Sequence, residues 1–146
     1  MPFFLCGHNA WVEGIGEQIS PLHIPAARFV VLKPNAGLPT AKIFNAPDLE
    51  RATKAATMAD FAAHPFDFGR NDLQPVAERL CPDVGLALKW LSSQGLTPRM
   101  SGSGSSVFAK VHHTWSAPES PKDWQVRMCS NLEKHPLEGW VFCDDF

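Results

Sequence analysis

The stretch Pro98-Arg99-Met100-Ser101-Gly102-Ser103-Gly104-Ser105-Ser106-Val107-Phe108-Ala109 places a glycine-serine bend directly before an apolar run. The apolar residues Val107 to Val111 favour a strand after the bend, and Arg99-Met100 predicts a short strand before it. Gly102 and Gly104 tolerate positive φ and let another molecule approach the backbone closely. The sequence therefore predicts two strands joined by a glycine-serine bend that is open to a ligand.

The bend itself, Ser101 to Ser105, is called the glycine-serine loop. Its consecutive backbone N–H groups can form a concave site for an anion, phosphate above all, and its serine hydroxyls add donors. It is not a Walker loop, because that motif requires a lysine, and it lacks GxGxxG spacing and leads into a strand. A flexible turn made of small residues is the alternative interpretation, and spacing alone leaves both open.

Length, charge and cysteine usage restrict the class of protein. A chain of 146 residues suggests one domain with enough buried surface for a core. The net charge of −2 gives no global attraction to nucleic acid or to an anionic membrane. No apolar run is long enough to span a bilayer, and no signal-peptide pattern opens the chain. The four cysteines form neither a CxxC pair nor a metal-like cluster, so reduced thiols and a cytoplasmic location are expected.

Short strands are predicted in the region Met1 to Ile24. Phe3 to Cys6 is apolar, the chain turns, Ala10 to Glu13 returns, and Glu17 to Leu22 extends again. Pro2 lacks a backbone donor, so the first strand is expected at a sheet edge or at a strand start. These strands are expected to belong to a sheet whose other members lie outside this sequence.

A strand and two helices are predicted next. Arg28 to Lys33 is the clearest strand of the chain. Thr40 is a candidate N-cap for a short helix from Ala41 to Phe44. An alanine-rich segment predicts a second helix from about Glu50 to Ala63, which ends before a proline.

Two further helices are predicted before the two strands that flank the glycine-serine loop. Asn71 or Asp72 is predicted to cap the first of them, and Asn71 and Asp72 carry no catalytic role in this interpretation. Pro82 is expected to restart the helix, because proline suits the first helical turn. Gly95 is the expected C-terminal stop signal.

After the hairpin, Asp123 to Leu132 is predicted as a helix and Trp140 to Cys143 as a final strand. From Phe29 onward the order is therefore strand, helices, strand, strand, helix, strand. That order is typical of a split β-α-β, ferredoxin-like α+β fold, a sheet with helices on one face. Met1 to Ile24 lies outside this pattern.

No metal site or catalytic triad is predicted. His112 and His113 are adjacent on a strand and point to opposite faces, so they cannot easily share one ion. Asp144 and Asp145 suggest a solvated tail. No Ser-His-Asp or Cys-His arrangement follows from the order of the residues.

Six blocks of sequence carry a resemblance to a known family. They are Pro2-Phe3-Phe4-Leu5-Cys6-Gly7-His8, Val12-Glu13-Gly14-Ile15-Gly16-Glu17, Lys33-Pro34, Pro39-Thr40-Ala41, Asn71-Asp72-Leu73 and Met100-Ser101-Gly102-Ser103-Gly104. Together they resemble the C-terminal half of a GHMP small-molecule kinase. The member that they resemble phosphorylates a cytidyl-linked sugar alcohol in the non-mevalonate route to isoprenoids. The resemblance extends over roughly residues 1 to 111 and more loosely beyond them.

The resemblance implies a domain organisation and a set of site residues. Residues 1–24 would be remnant strands of an N-terminal, ATP-carrying domain, and residues 25–146 the ferredoxin-like C-terminal domain. The loop that closes over the nucleotide phosphates and the substrate corresponds to Ser101, Gly102, Ser103, Gly104 and Ser105. The cytidine pocket of the family corresponds to Ile15 and Phe44, with Thr40 at the start of the segment that presents Phe44.

The resemblance also implies what this sequence lacks. The family motif begins Gly-Ala-Asp-aliphatic-Pro-Phe-Phe, and Met1 stands at the aliphatic position, so the catalytic Asp would lie upstream. The family's lysine and its ATP-binding glycine loop are missing too. The chain is thus expected to be a truncated kinase, inactive alone, whose complete form uses ATP with Mg²⁺. Self-association through the N-terminal strands is expected, with no nucleic acid or membrane partner.

Two other classes stay open beside the kinase. A non-catalytic module that binds a nucleotide or another anion would also need the glycine-serine loop. A structural interaction module is the third possibility, because the ferredoxin-like topology supports many unrelated functions.

Overall fold

A four-stranded sheet forms the centre of the larger part of the molecule, in a computed structural model that describes residues 6–67, 69–120 and 123–137. The strands within these residues are Ala10–Glu13 (β1), Gln18–Pro21 (β2), Arg28–Lys33 (β3), Arg99–Met100 (β4), Val107–Val111 (β5) and Gln125–Ser130 (β6). The large sheet has the order β4-β5-β3-β6, while β1 and β2 form a separate two-stranded sheet. β3, which comes first in the sequence among the strands of the large sheet, thus lies between β5 and β6, the third and the fourth, as in a split β-α-β unit.

The centre of the large sheet is built from two antiparallel pairs. β3 pairs with β5 from Arg28↔Val111 to Leu32↔Val107. β4 pairs with the start of β5, with Met100 opposite Val107. Because side chains alternate along a strand, Val30 and Leu32 share one face with every second residue of β5, and this face is buried.

The helices that the structure describes are Thr40–Phe44 (α1), Met58–Ala63 (α2), Gln74–Leu80 (α3) and Pro82–Ser93 (α4). Buried residues of α1, α3 and α4 cover the buried face of the sheet, whereas α2 buries none of its residues. α4 buries Val84, Ala87, Leu88 and Leu91, which join one core cluster with the buried residues of α3, β3 and β5. The periodic apolar positions of α4 are thus the ones that pack on the sheet, as expected for an amphipathic helix.

The opposite face of the sheet carries aromatic side chains. Phe29 of β3 meets Phe108 of β5 edge to face, with ring centroids 6.2 Å apart. Phe66, from the segment after α2, packs on Phe29 at 5.7 Å, and the Lys110 ammonium lies 4.6 Å from the Phe66 ring centroid. Edge-to-face packing and a cation above a ring are both favourable aromatic geometries.

The predicted ends of α4 are confirmed. Pro82 is its first residue, and Gly95 follows its C-cap with a φ of +75°. The Gly95 N–H donates to the Ser92 carbonyl at 3.0 Å, and the Leu96 N–H donates to the Leu91 carbonyl at 3.3 Å. This pair of bonds is a Schellman motif, which satisfies the last carbonyls of the helix.

The helix predicted from Glu50 to Ala63 is much shorter than expected. α2 begins only at Met58, and the residues from Arg51 to Thr57 have no regular structure. Thr57 accepts from the Asp60 N–H while the Asp60 carboxylate accepts from the Thr57 N–H, which makes a capping box. This reciprocal cap fixes the start of the helix, and alanine content upstream of it does not extend the helix.

The helix predicted from Asp123 to Leu132 is wrong, because this segment forms β6 at the edge of the sheet. Trp124, Val126 and Met128 alternate with polar residues, which is the period of a strand. Trp124 and Val126 are half-buried and pack against the core. The alternating pattern therefore agrees with the strand that forms.

One predicted helix cap is wrong and another is shifted. Pro39 is the N-cap of α1, and Thr40 is already its first helical residue. Leu73 is the N-cap of α3, so neither Asn71 nor Asp72 occupies that position. The Asn71 Oδ1 nevertheless accepts from the Leu73 N–H at 3.0 Å, so Asn71 caps the turn that leads into α3.

The chain divides into two compact units. One contains the described residues of the ranges Met1–Ala26 and Ser130–Phe146, and the other is Ala27–Cys129. In the first unit β1 pairs with β2 from Ala10↔Pro21 to Glu13↔Gln18, so these two predicted strands exist and pair with each other. The predicted boundary after residue 24 stays a prediction.

Some sequence predictions fall outside the described residues. The strand Trp140 to Cys143 lies wholly there, and the strand Phe3 to Cys6 lies there except for its last residue. Over the ranges that the structure does describe, none of the helices combines the length and the apolar character needed to cross a membrane.

Candidate functional site

The glycine-serine loop forms a tight turn at the tip of the β4–β5 hairpin. The Gly104 N–H donates to the Ser101 carbonyl at 2.9 Å, and the Ser101 N–H donates to the Ser106 carbonyl at 2.9 Å. Gly102 and Gly104 have φ values of +54° and +83°. A positive φ at the first central residue of a turn, followed by a negative φ at Ser103, is the sign pattern of a type II′ turn. The predicted need for glycine in this loop is therefore met at both positions.

The loop offers fewer free donors than consecutive N–H groups would suggest. The N–H groups of Ser101 and Gly104 are used within the hairpin. Those of Gly102 and Ser103 donate to no acceptor within the part of the chain that the structure describes. Two adjacent N–H groups at the tip of the turn are thus left for an external acceptor such as an anion.

Two serine hydroxyls fasten the loop to the segment between β3 and α1. The Ser105 Oγ donates to the Ala36 carbonyl at 2.9 Å, and Ser105 is buried. The Ser103 Oγ and the Thr40 Oγ1 lie 2.9 Å apart and share a hydrogen bond. Thr40 therefore contacts the loop directly, whereas the hydroxyl of Ser105 is occupied by a structural bond.

The side chain of Asn71 fastens the loop from the other side. Its Nδ2 donates to the Met100 carbonyl at 2.9 Å and to the Gly102 carbonyl at 2.7 Å. Its Oδ1 accepts from the Leu73 N–H at 3.0 Å. The amide of Asn71 thus links the start of α3 to the tip of the β4–β5 hairpin.

An open cleft of about 760 Å³ lies beside the loop. Its lining residues are Phe44, Leu49, Glu50, Arg51, Arg70, Asn71, Asp72, Leu73, Arg99, Met100, Ser101, Gly102 and Phe108. Phe44, predicted from the resemblance to border a cytidine ring, is 52% exposed and lies on the same cleft as Ser101 and Gly102. An exposed aromatic face beside free N–H groups suits a ligand that has a planar ring and an anionic group.

Three arginines on this cleft were not predicted from the sequence. Arg51 donates to the Phe44 carbonyl at 2.6 Å, and Arg99 donates to the carbonyls of Gly69 and Phe66. Within the described residues, Arg51 donates to the backbone carbonyls of Leu49 and Phe44 and not to a carboxylate, so no ion pair offsets its charge. The arginines are far apart in the sequence, and only Arg99 stands next to the loop, so no local pattern identifies them.

The third arginine, Arg70, is paired with a carboxylate. It donates to Asp72 and, at 2.9 Å, to the Thr53 hydroxyl. Hydrogen bonds from Thr53 and Arg70 hold the pKa of Asp72 below its usual value. Asp72 is therefore a stable anion that lowers the net positive charge of the cleft.

Ile15, the other residue assigned to a cytidine pocket, belongs to the first compact unit. It lies in the turn between β1 and β2, and its side chain is fully exposed. The structure thus brings Thr40 and Phe44 together with the glycine-serine loop in one unit, while Ile15 belongs to the other.

Comparison with known proteins shows what the chain is similar to. Residues 49–114 match the family described as GHMP kinases C terminal. The chain is 58% identical over 147 residues to a protein of Polaromonas sp. strain JS666 named 4-diphosphocytidyl-2-C-methyl-D-erythritol kinase. That alignment covers 96% of this chain and 48% of the Polaromonas protein. A protein of Variovorax paradoxus strain S110 with the same name is 56% identical over 159 residues, covering 97% of this chain and 54% of its own length.

A solved structure shows the same relationship. The crystal structure of 4-(cytidine 5'-diphospho)-2C-methyl-D-erythritol kinase superposes with a TM-score of 0.59 at 29% identity, over 75% of this chain and 42% of the other. The predicted family resemblance and the predicted fold class are confirmed. The chain spans about half the length of the curated relatives it matches.

Proposed function

We propose that this chain, whose residues 49–114 match the C-terminal domain of the GHMP kinases, supplies the phosphate- and substrate-binding side of a kinase that acts on 4-diphosphocytidyl-2-C-methyl-D-erythritol. ATP is the phosphoryl donor in this proposal and Mg²⁺ its companion ion. The names of the similar proteins support the substrate, and the match to a kinase domain supports the reaction type.

The observation that carries the proposal is the fastened turn with two unused N–H groups at its tip. Transfer of a phosphoryl group depends mainly on positioning and on stabilising the charge of the transferred group. Fixed backbone donors do this well, because they need no reorganisation when charge develops. Gly102 and Ser103 supply such donors, and the hydroxyl of Ser103 is itself held by Thr40.

The cleft beside the loop suits the rest of the substrate. We assign the cytidine ring to the exposed face of Phe44, since a base stacks favourably on an aromatic ring. The charge of Arg51 on the same cleft favours the diphosphate. Ile15 remains a proposed substrate contact from the family resemblance.

The remaining predictions stay proposals. The chain by itself is proposed to lack kinase activity, because none of its residues corresponds to the catalytic Asp, the lysine or the ATP loop of the family. Residues 1–24 are proposed as strands of the ATP-carrying domain and residues 25–146 as the ferredoxin-like domain. A cytoplasmic location, self-association through the N-terminal strands and the absence of nucleic acid or membrane partners complete the proposal.

The test joins this chain to the N-terminal half of the Polaromonas kinase and measures transfer from ATP to the cytidyl substrate. Gly102→Ala places a Cβ at the tip of the turn, and no atom beyond the neighbouring residues lies within 4 Å of that Cβ position. We expect turnover to fall by about tenfold or more, because alanine is strained at the positive φ of Gly102 and its Cβ obstructs the adjacent N–H groups, and loss of a single preorganised donor has effects of that size or larger. Gly95→Ala is the matched control, since Gly95 also has positive φ and open space around its Cβ position.

The outcome separates the three classes of function. An active fusion that Gly102→Ala impairs and Gly95→Ala does not supports the kinase. Binding of the cytidyl substrate without transfer identifies a non-catalytic binding module, and absence of both identifies a structural module. Turnover by the purified chain alone, abolished by a substitution within it, contradicts the proposal that the chain needs further residues.

A further inference from the structure

The amide of Asn71 is committed to backbone partners on both sides. An Asn side chain has two N–H donors and one carbonyl oxygen. Here the donors bind the carbonyls of Met100 and Gly102, and the oxygen accepts from the Leu73 N–H. Neither Asp nor a shorter side chain can make all three bonds, because Asp lacks the donors and a shorter residue lacks the reach.

The Gly102 carbonyl is the central peptide group of the turn. The bond from the Gly104 N–H to the Ser101 carbonyl closes the turn around the Gly102–Ser103 peptide. That peptide is trans, so its C=O and N–H groups point in opposite directions. Fixing the Gly102 carbonyl therefore also fixes the direction of the Ser103 N–H.

We infer that Asn71 is the positioning residue of the glycine-serine loop: it holds the Gly102–Ser103 peptide in the orientation that presents the Ser103 N–H to an anionic phosphoryl group. The inference rests on the proposed function for the identity of the ligand. The orientation of the peptide itself follows from the hydrogen bonds of the chain. Asn71 acts through the backbone of the loop and is assigned no contact with the substrate.

A neighbouring residue provides the control for a purely structural role. The Gln74 Oε1 accepts from the Met100 N–H at 2.9 Å, so Gln74 also links α3 to the end of β4. It makes no bond to the Gly102 carbonyl. Gln74→Ala thus removes a bond of the same kind and leaves the central peptide of the turn held by Asn71.

The first measurement uses the chain itself and needs no kinase activity. Asn71→Asp keeps an acceptor for the Leu73 N–H and replaces both donors with a carboxylate oxygen that repels the two carbonyls. We expect ¹⁵N relaxation dispersion to show microsecond-to-millisecond exchange at the Ser103 amide in this variant and not in Gln74→Ala. Asn71→Ala is the second variant, because it removes the donors without adding charge. An unchanged Ser103 amide in both folded Asn71 variants overturns the inference.

The second measurement uses the fusion with the N-terminal half of the Polaromonas kinase. We expect Asn71→Ala to lower kcat by about tenfold or more while the KM of the cytidyl substrate changes far less, because the lost donor acts on the transferred group. Gln74→Ala, compared at equal fraction folded, is expected to keep its kcat. If the Ser103 amide is released and kcat is unchanged, Asn71 is not a positioning residue. If the unsubstituted fusion is inactive, the proposed function fails, and the dispersion data alone decide whether Asn71 fixes the peptide.

Discussion

Two hairpins of the chain turn through the same local pattern, Gly14-Ile15-Gly16 between β1 and β2 and Gly102-Ser103-Gly104 between β4 and β5. Both glycines of each turn have positive φ. The central residue differs, since Ile15 is fully exposed whereas Ser103 is half-buried. Local sequence thus specifies the same kind of bend twice, and the surroundings give the two bends different properties.

The first turn is held by its own residues. The Glu17 carboxylate accepts from the Ile15 N–H at 2.7 Å, and no other element is required for that bond. The second turn is held by residues distant in sequence: Ala36, Thr40 and Asn71. A turn fastened only from within can move as a unit, whereas three outside attachments fix the second turn to the sheet and helices.

Burial separates the two hairpins further. In the described residues, every buried apolar side chain lies between Val30 and Val111, in the second compact unit. The β1–β2 hairpin has no buried side chain. Because burial of apolar surface supplies most folding stability, the difference predicts distinct local stabilities for the two units.

Hydrogen exchange is expected to show the largest contrast. We expect amides of β3 and β5 to exchange about a thousandfold or more slowly, relative to intrinsic rates, than those of β1 and β2, since core strands open only with global unfolding. Peptide-level mass spectrometry makes the comparison. Equal protection of Trp11-Val12 and Phe29 to Leu32 in a monomeric sample would show that the first hairpin is as stable as the core sheet.

Substitution of the last glycine in each turn is the next test. A Cβ at Gly104 would lie 2.8 Å from the Met100 Sδ, and the Met100 side chain is buried. Crowding of the core and positive φ together are expected to lower the free energy of unfolding by about 2–4 kcal/mol in Gly104→Ala. Urea unfolding followed by far-UV circular dichroism measures this loss.

The matched variant is Gly16→Ala, at a positive φ with open space around the Cβ position. The added strain is confined to the backbone of an exposed turn, so the free energy of unfolding should fall by about 1 kcal/mol or less. Equal shifts in Gly16→Ala and Gly104→Ala would contradict the difference in attachment between the two turns.

The smallest expected effect concerns the pH response of the first turn. Hydrogen bonds from its own backbone N–H and from the Ile15 N–H lower the pKa of Glu17 from its ordinary value of 4.5. A lowered pKa means that the carboxylate stabilises the turn at pH above 4.5, and this contribution is lost as the pH falls through the folded pKa. NMR titration of the Ile15 amide should therefore show a midpoint below 4.5. Glu17→Gln should remove this transition, and Glu13→Gln should leave it in place.

The elements that sequence predicted well carry their own local signals. β3 is a continuous apolar run that contains Val30 and Val31 and is closed by a proline, and α4 begins at Pro82 and is stopped by Gly95 after its C-cap. β6 was predicted as a helix although its apolar residues alternate with the period of a strand. The local pattern therefore carried the correct signal, and the helix prediction overlooked it.

In the candidate site, too, some features follow from local sequence and others depend on residues distant in the chain. The positive φ values of Gly102 and Gly104 follow from local sequence, as does the turn itself. The residues that hold the turn do not, because Asn71 and Thr40 carried equally good signals for helix caps. Their hydroxyl and amide groups bind the loop only after the helices and the hairpin have come together.

The pairing of β3 with β5 has a consequence for the order in which the chain folds. Leu32 pairs with Val107, so the whole helical region and β4 lie between the two central strands. β4 and β5 can pair by closing one short loop. Pairing β3 with β5 has a larger entropic cost, because the loop to be closed contains α1 to α4 and β4. Such distant contacts slow folding. Helix formation shortens the intervening chain, so α3 and α4 accelerate the closure of the sheet that they later cover.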